Sequence, residues 1–125
     1  MERNSCYRVV LADDEPEFIA WLSSLLKSSA DFEVVGEAKN GAEAVELIPS
    51  LMPDLVIADM YMPGPDGLEV ARCVQERFPN TKAILVSAYA ERVYERLAKE
   101  AGALTFIPKV SFSLEALRQA LRGEE

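Results

Sequence analysis

Short apolar runs alternate along the chain with longer stretches in which apolar residues recur at helical spacing. The runs Tyr7–Ala12, Glu33–Ala38, Leu55–Ala58, Ala83–Val86 and Leu104–Ile107, several rich in Val and Ile, read as strands. They are nearly continuous rather than alternating, the pattern of a parallel sheet covered on both faces. After the first run, Phe18, Ile19, Leu22, Leu25 and Leu26 fall on one helical face. Asp14 is the expected N-cap of that helix, and Pro16 fits its first turn, where a missing N–H costs little. A second helix is expected from about Gly41 to Leu51, and a third from near Gly67, closed by Pro79. A fourth gathers Ala90, Val93, Tyr94, Leu97, Ala98 and Ala101 on one side and stops at Gly102. The last runs from about Ser113 to Arg122. Five β–α units without repeats predict a doubly wound parallel α/β sheet, because right-handed crossovers place helices on both faces.

Composition narrows the picture. The 125 residues suit one domain with one core, residues 1–125. No apolar run approaches the roughly 20 residues that span a bilayer, and the N-terminus lacks the apolar core of a signal peptide. The expectation is a cytoplasmic domain without membrane association. Cys6 and Cys73 have no CxxC spacing and read as free thiols. A formal charge of −8 argues against this segment gripping nucleic acid directly. The absence of histidine excludes His-based zinc sites, Ser-His and Cys-His pairs, and phosphohistidine chemistry on this chain. The closing "RGEE" reads as a polar tail or the start of a linker.

In open α/β sheets, ligands sit beyond the carboxyl ends of the strands. The first strand ends in Asp13 and Asp14, the third in Asp59, the fourth in Ser87 and the fifth in Lys109. Three carboxylates, a hydroxyl and an ammonium are thus expected on one edge. Any of them alone is an ordinary cap, turn or surface residue; together they suit phosphoryl transfer to a carboxylate. Clustered Asp oxygens repel until a divalent cation such as Mg²⁺ or Mn²⁺ joins them. One carboxylate must stay free to attack phosphorus, while metal, hydroxyl and ammonium neutralise the phosphoryl oxygens. Glu15 is expected to complement the dipole of the first helix rather than to bind metal.

The acidic pair Asp13–Asp14, "ADMYMPGPDG" around Asp59, "VSA" at Ser87 and "FIPK" at Lys109 stand in the order and spacing of a known family. The chain resembles, over nearly its whole length, the receiver domains of bacterial two-component response regulators. That resemblance implies a flavodoxin-like sheet of strand order 2-1-3-4-5. It implies that Asp59 is the phosphoacceptor, served by a sensor histidine kinase or a histidine phosphotransfer protein. Asp14 and Asp59 would bind the metal directly with the backbone carbonyl of Met60, and Asp13 mainly through water. Ser87 and Lys109 would meet phosphoryl oxygens, and Phe106 would change rotamer as Ser87 moves. The surface of the fourth helix, fifth strand and fifth helix would form a homodimer or meet an output domain, with transcription regulation the expected output. Trp21 lies on the side where the family docks its kinase. Many members carry a proline after the lysine; here Val110 follows. Tyr61 and Tyr89, two residues past Asp59 and Ser87, are bulky and are expected to hinder the water that hydrolyses an aspartyl phosphate.

Three other readings compete. A phosphatase of the haloacid dehalogenase type usually places a second Asp two residues past its nucleophile, where this chain has Tyr61. A flavodoxin-like cofactor binder needs a phosphate-cradling loop after the first strand, and that loop is acidic here. An unphosphorylated receiver-like scaffold would not need the intact set of Asp13, Asp14, Asp59, Ser87 and Lys109. The favoured reading is a switch that catalyses only its own phosphoryl transfer and dephosphorylation.

Overall fold

The computed structural model describes residues 6–123. The last two residues of the "RGEE" tail lie outside that range. The strands are β1 (Tyr7–Ala12), β2 (Phe32–Ala38), β3 (Leu55–Asp59), β4 (Lys82–Ser87) and β5 (Thr105–Pro108). The helices are α1 (Pro16–Lys27), α2 (Gly41–Leu51), α3 (Gly67–Arg77), α4 (Arg92–Glu100) and α5 (Leu114–Arg122), and a 3-10 turn spans Lys109–Ser111. All strand pairs are parallel and the order is β2-β1-β3-β4-β5, as expected. No helix of the described residues is long and apolar enough to cross a membrane.

Successive strand residues face opposite sides, which explains the unbroken apolar runs. Val9, Leu11, Ile57, Ile84 and Val86 pack under α1 and α5, against Leu22, Leu26 and Leu117. Val10, Val56, Ala58 and Leu85 pack under α2, α3 and α4, against Ile48, Val70, Val74 and Ala98. Two covered faces leave only the strand ends free for polar chemistry.

Two local expectations fail for physical reasons. The N-cap of α1 is Glu15, not Asp14, and it caps without a side-chain bond. Pro16 is the cause: the residue before a proline is pushed out of the helical region, and Glu15 is extended at φ −99, ψ 104. On α4, Val93 is 42% exposed and Ala98 is the buried residue, so the apolar side is narrower than the spacing suggests. Gly102 does follow the helix as expected, with φ +95 beyond the cap residue Ala101. No described peptide bond is cis, Lys109–Val110 included.

The β3–α3 loop that frames the end of β3 is held tightly. Asp66 and Glu69 form a reciprocal capping box at the start of α3. The Gly67 N–H donates to the Met60 carbonyl at 3.1 Å, and a Cβ at Gly67 would stand 2.3 Å from the Asp59 carbonyl oxygen. A Cβ at Gly41, opening α2, would meet the Pro65 carbonyl at 1.9 Å. Backbone, not a pliable side chain, blocks both positions. Gly67→Ala should therefore lower unfolding free energy by about 2 kcal/mol, against about 1 kcal/mol for Asp66→Ala, both read from urea denaturation.

Candidate functional site

The carboxyl edge of the sheet gathers Asp13, Asp14, Asp59, Ser87 and Lys109, which arrive from four strand ends. Asp14, Glu15, Asp59, Tyr61, Ser87, Tyr89 and Lys109 line an open pocket of about 270 Å³. Asp13, Asp59 and Ser87 are buried, whereas Asp14 is exposed at the rim.

Lys109 is the centre of the charge arrangement. Its Nζ lies 2.9 Å from Asp13 Oδ2, 3.1 Å from Asp59 Oδ2 and 2.5 Å from Glu15 Oε1. The same ammonium stands 4.5 Å over the Phe18 ring, a further attraction for a cation. Burial works to lower the Lys109 pKa, but the neighbouring carboxylates of Glu15, Asp13 and Asp59 outweigh it and hold the pKa above the ordinary range. The 3-10 turn beginning at Lys109 ends β5 where its side chain reaches the acidic cluster.

Asp13 carries the strain of the cluster. Burial pushes its carboxyl up to about 6, only partly offset by Lys109 and by the Glu15 N–H, which donates to Oδ1 at 2.9 Å; the Asp59 charge adds to the rise. The 2.9 Å approach of Lys109 to Oδ2 is an ion pair without hydrogen-bond alignment, so this buried oxygen accepts no hydrogen bond. Oxygens of Asp13, Asp14 and Asp59 come within 4.8 Å of one another. A buried carboxylate oxygen without a donor, in an all-oxygen set, fits a hard divalent cation. The Met60 carbonyl lies on the same loop and already accepts the Gly67 N–H, which leaves one lone pair for another partner.

Asp59 and Ser87 are set by the same local device. Asp59 Oδ1 accepts the Tyr61 N–H at 3.1 Å, and Ser87 Oγ accepts the Tyr89 N–H at 3.1 Å. Tyr61 and Tyr89 are 51% and 58% exposed, and their rings meet edge to face at 6.2 Å beside the pocket. Phe106 is buried on the α4 side of the sheet, its ring 5.8 Å from Tyr94. Trp21 stacks on Phe18 and meets Phe112 edge-on while remaining 46% exposed.

Two residues went unread in the sequence. Glu15 reaches across to Lys109 instead of serving only the helix dipole; its place beside the acidic pair was the one available signal. Tyr94 reads there as an ordinary member of an apolar helical face.

Fold and edge chemistry together define a flavodoxin-like α/β domain with an acidic, lysine-paired pocket at its carboxyl edge. The chain belongs to the response regulator receiver domain family, whose model matches residues 9–122. It is 35% identical over 122 residues to the transcriptional regulatory protein LiaR of Bacillus subtilis, covering 94% of this chain and 57% of that protein. It is 39% identical over 114 residues to the transcriptional regulatory protein NarL of Mycobacterium tuberculosis, covering 91% of this chain and 53% of that protein. A protein-glutamate methylesterase/protein-glutamine glutaminase of Pyrococcus abyssi is 34% identical over 94% of this chain and 32% of its own length. Among solved structures, the signal receiver domain of NarL from Mycobacterium tuberculosis superposes with a TM-score of 0.87 at 37% identity, covering 95% of this chain and 96% of that one. The chain thus spans from a third to just over half the length of these curated relatives. It is a receiver domain of the kind found in two-component response regulators, including transcriptional regulators.

The raised Asp13 pKa has a testable sign. A carboxyl at about 6 when folded, against an ordinary 3.8, costs the fold stability as pH rises between those values. With a chelator present, Asp13→Asn should show no advantage over the parent near pH 3.5. The advantage should appear through about pH 4 to 6 and level off above, at about 1 kcal/mol after allowing for solvent screening. Urea midpoints across that range provide the check.

Proposed function

We propose that the chain is a phosphorylation-dependent switch, with Asp59 as phosphoacceptor. The observation that carries this reading is the convergence of Lys109 on Asp59 and Asp13 at the mouth of an open pocket. A carboxylate oxygen of Asp59 attacks the phosphorus of a partner's phosphohistidine. The P–N bond breaks, its electron pair returns to the imidazole, and an acyl phosphate forms on Asp59. Asp14 and Asp59, with the Met60 carbonyl, would hold Mg²⁺ or Mn²⁺ directly, and Asp13 would act mainly through water. Bound there, the cation supplies positive charge for the phosphoryl oxygens.

Lys109 is attached to Asp59 at the start and passes to a phosphoryl oxygen once the carboxylate is esterified. Ser87 moves to donate its hydroxyl to another oxygen, and that movement pulls its Oγ from the Tyr89 N–H and shifts the β4–α4 segment. Phe106 repacks in response. Phosphate adds about −1.5 to −2 charges at one point, and this biases a two-state surface because Ser87 and Lys109 contact it in only one state. That surface is α4, β5 and α5, through which the chain forms a homodimer or meets its output partner. The relatives named as transcriptional regulators favour transcription as the output, in the cytoplasm, with residues 1–125 acting as one receiver unit and without binding nucleic acid directly.

A sensor histidine kinase or histidine phosphotransfer protein is the donor, as for receiver domains generally, and the exposed Trp21 marks a docking face on α1. Tyr61 and Tyr89 shield the phosphoaspartate from water.

Incubation with a small phosphodonor and Mg²⁺ should give a single phosphoryl adduct by intact mass, absent in Asp59→Asn. Turnover of phosphomonoesters would instead indicate a phosphatase, and no adduct with any donor would indicate a scaffold. Tyr61→Ala and Tyr89→Ala should each shorten the adduct's half-life severalfold, an effect of about 1 kcal/mol on the hydrolysis barrier; half-lives no shorter than the parent's would refute the shielding role.

A further inference from the structure

Three carboxylates and one uncharged ring surround the Lys109 ammonium. Asp13, Asp59 and Glu15 approach as anions, while the Phe18 ring presents its face with Nζ 4.5 Å from the ring centroid. That is well within reach of the negative face of an aromatic ring. The carboxylates are inconstant holders once the site is used. Asp13 and Asp59 are groups that a divalent cation draws on, Asp59 is esterified, and Glu15 is exposed, where water weakens an ion pair. A hard cation prefers oxygen to a ring, and a phosphoryl group has no use for one. The attraction of Phe18 also consumes none of the ammonium N–H donors. It therefore persists through every exchange of the charged partners.

Phe18 is itself held in place. It is half-buried and stacks on Trp21 at 5.6 Å and 29°, and Trp21 meets Phe112 edge to face at 6.5 Å. Phe18 and Trp21 lie three positions apart on α1, so they share one side of the helix. Phe112 is buried, and its N–H donates to the Lys109 carbonyl at 3.2 Å. No residue of the intervening turn Lys109–Ser111 is buried, and Val110 is 82% exposed. The same aromatic group thus grips Lys109 at both ends, its backbone through Phe112 and its ammonium through Phe18.

We propose that Phe18 is a positioning residue for phosphoryl transfer, its ring face keeping the Lys109 ammonium beside Asp59 so that it can pass to a phosphoryl oxygen. No bond to Phe18 forms or breaks. This rests on the phosphoacceptor reading of Asp59.

The test follows formation of the Asp59 adduct by intact mass, with acetyl phosphate and Mg²⁺. Phe18→Leu keeps an apolar side chain without a ring face; its adduct should form about fivefold more slowly, the scale of one partly desolvated cation–ring contact. Phe18→Tyr should restore the parent rate, because a phenol keeps that negative face. A fully ring-fluorinated phenylalanine in place of Phe18 retains the shape and reverses the sign of the face, so it should be at least as slow as Phe18→Leu. That variant separates the charge of the ring from its packing in α1. Proton NMR of the metal-free protein supplies a readout independent of phosphorylation. The Lys109 ε-methylene protons should be shifted upfield by the ring in the parent and in Phe18→Tyr, and should lose that shift in Phe18→Leu. Parent-like rates in Phe18→Leu or in the fluorinated protein, a Phe18→Tyr no faster than Phe18→Leu, or unshifted Lys109 protons in the parent would each overturn the positioning role while leaving Asp59 as phosphoacceptor. No adduct in the parent would overturn both readings.

Discussion

One ammonium holds the site together. Lys109 stands among the carboxylates of Asp13, Asp59 and Glu15, two of them buried, at the edge of a sheet with an apolar core on each face. Like charges packed this closely in a poorly solvated place would drive one another toward protonation. Asp13 shows the residual cost, since its carboxyl remains raised even with Lys109 beside it. Much else follows from keeping that balance. The last residues of β1, β3 and β5 must finish level with one another, and the β3–α3 loop must stay close, which leaves no room for a Cβ at Gly67.

The same balance makes the site responsive. A structure whose charges were fully paired would have little to gain from a cation or a phosphoryl group. Here a buried oxygen of Asp13 lacks a hydrogen-bond donor, and Lys109 divides its charge among three partners. Either addition would redistribute those pairings. Asp59 and Ser87 each accept the backbone N–H of a tyrosine two residues on, so a change at either bears directly on Tyr61 or Tyr89. From there Tyr94 extends the contact to α4 and Phe106.

Much of this was legible in the chain. The apolar runs placed all five strands to within a residue or so of their observed ends, because a strand buried on both faces needs an unbroken apolar stretch. Asp13, Asp14, Asp59, Ser87 and Lys109 fell on one edge as a direct consequence of parallel topology. What misled were positions where several residues had equal local claims. Asp14 was the expected cap of α1, and Pro16 moved that place to Glu15 by steric exclusion. Val93 and Tyr94 shared one helical stripe, yet α4 turns Val93 to solvent and Tyr94 toward the site.

Periodicity and strand-end chemistry in the sequence determined the doubly wound fold and which polar groups share its carboxyl edge, because both depend on local rules of burial and chain direction. Which of those groups touch was decided only in three dimensions. The reach of Glu15 to Lys109 crosses 94 positions of chain, and the Tyr61–Tyr94 pair joins a loop to a helix beyond it. Such contacts depend on ångström-scale distances between separate elements, and no spacing along a single segment encodes them.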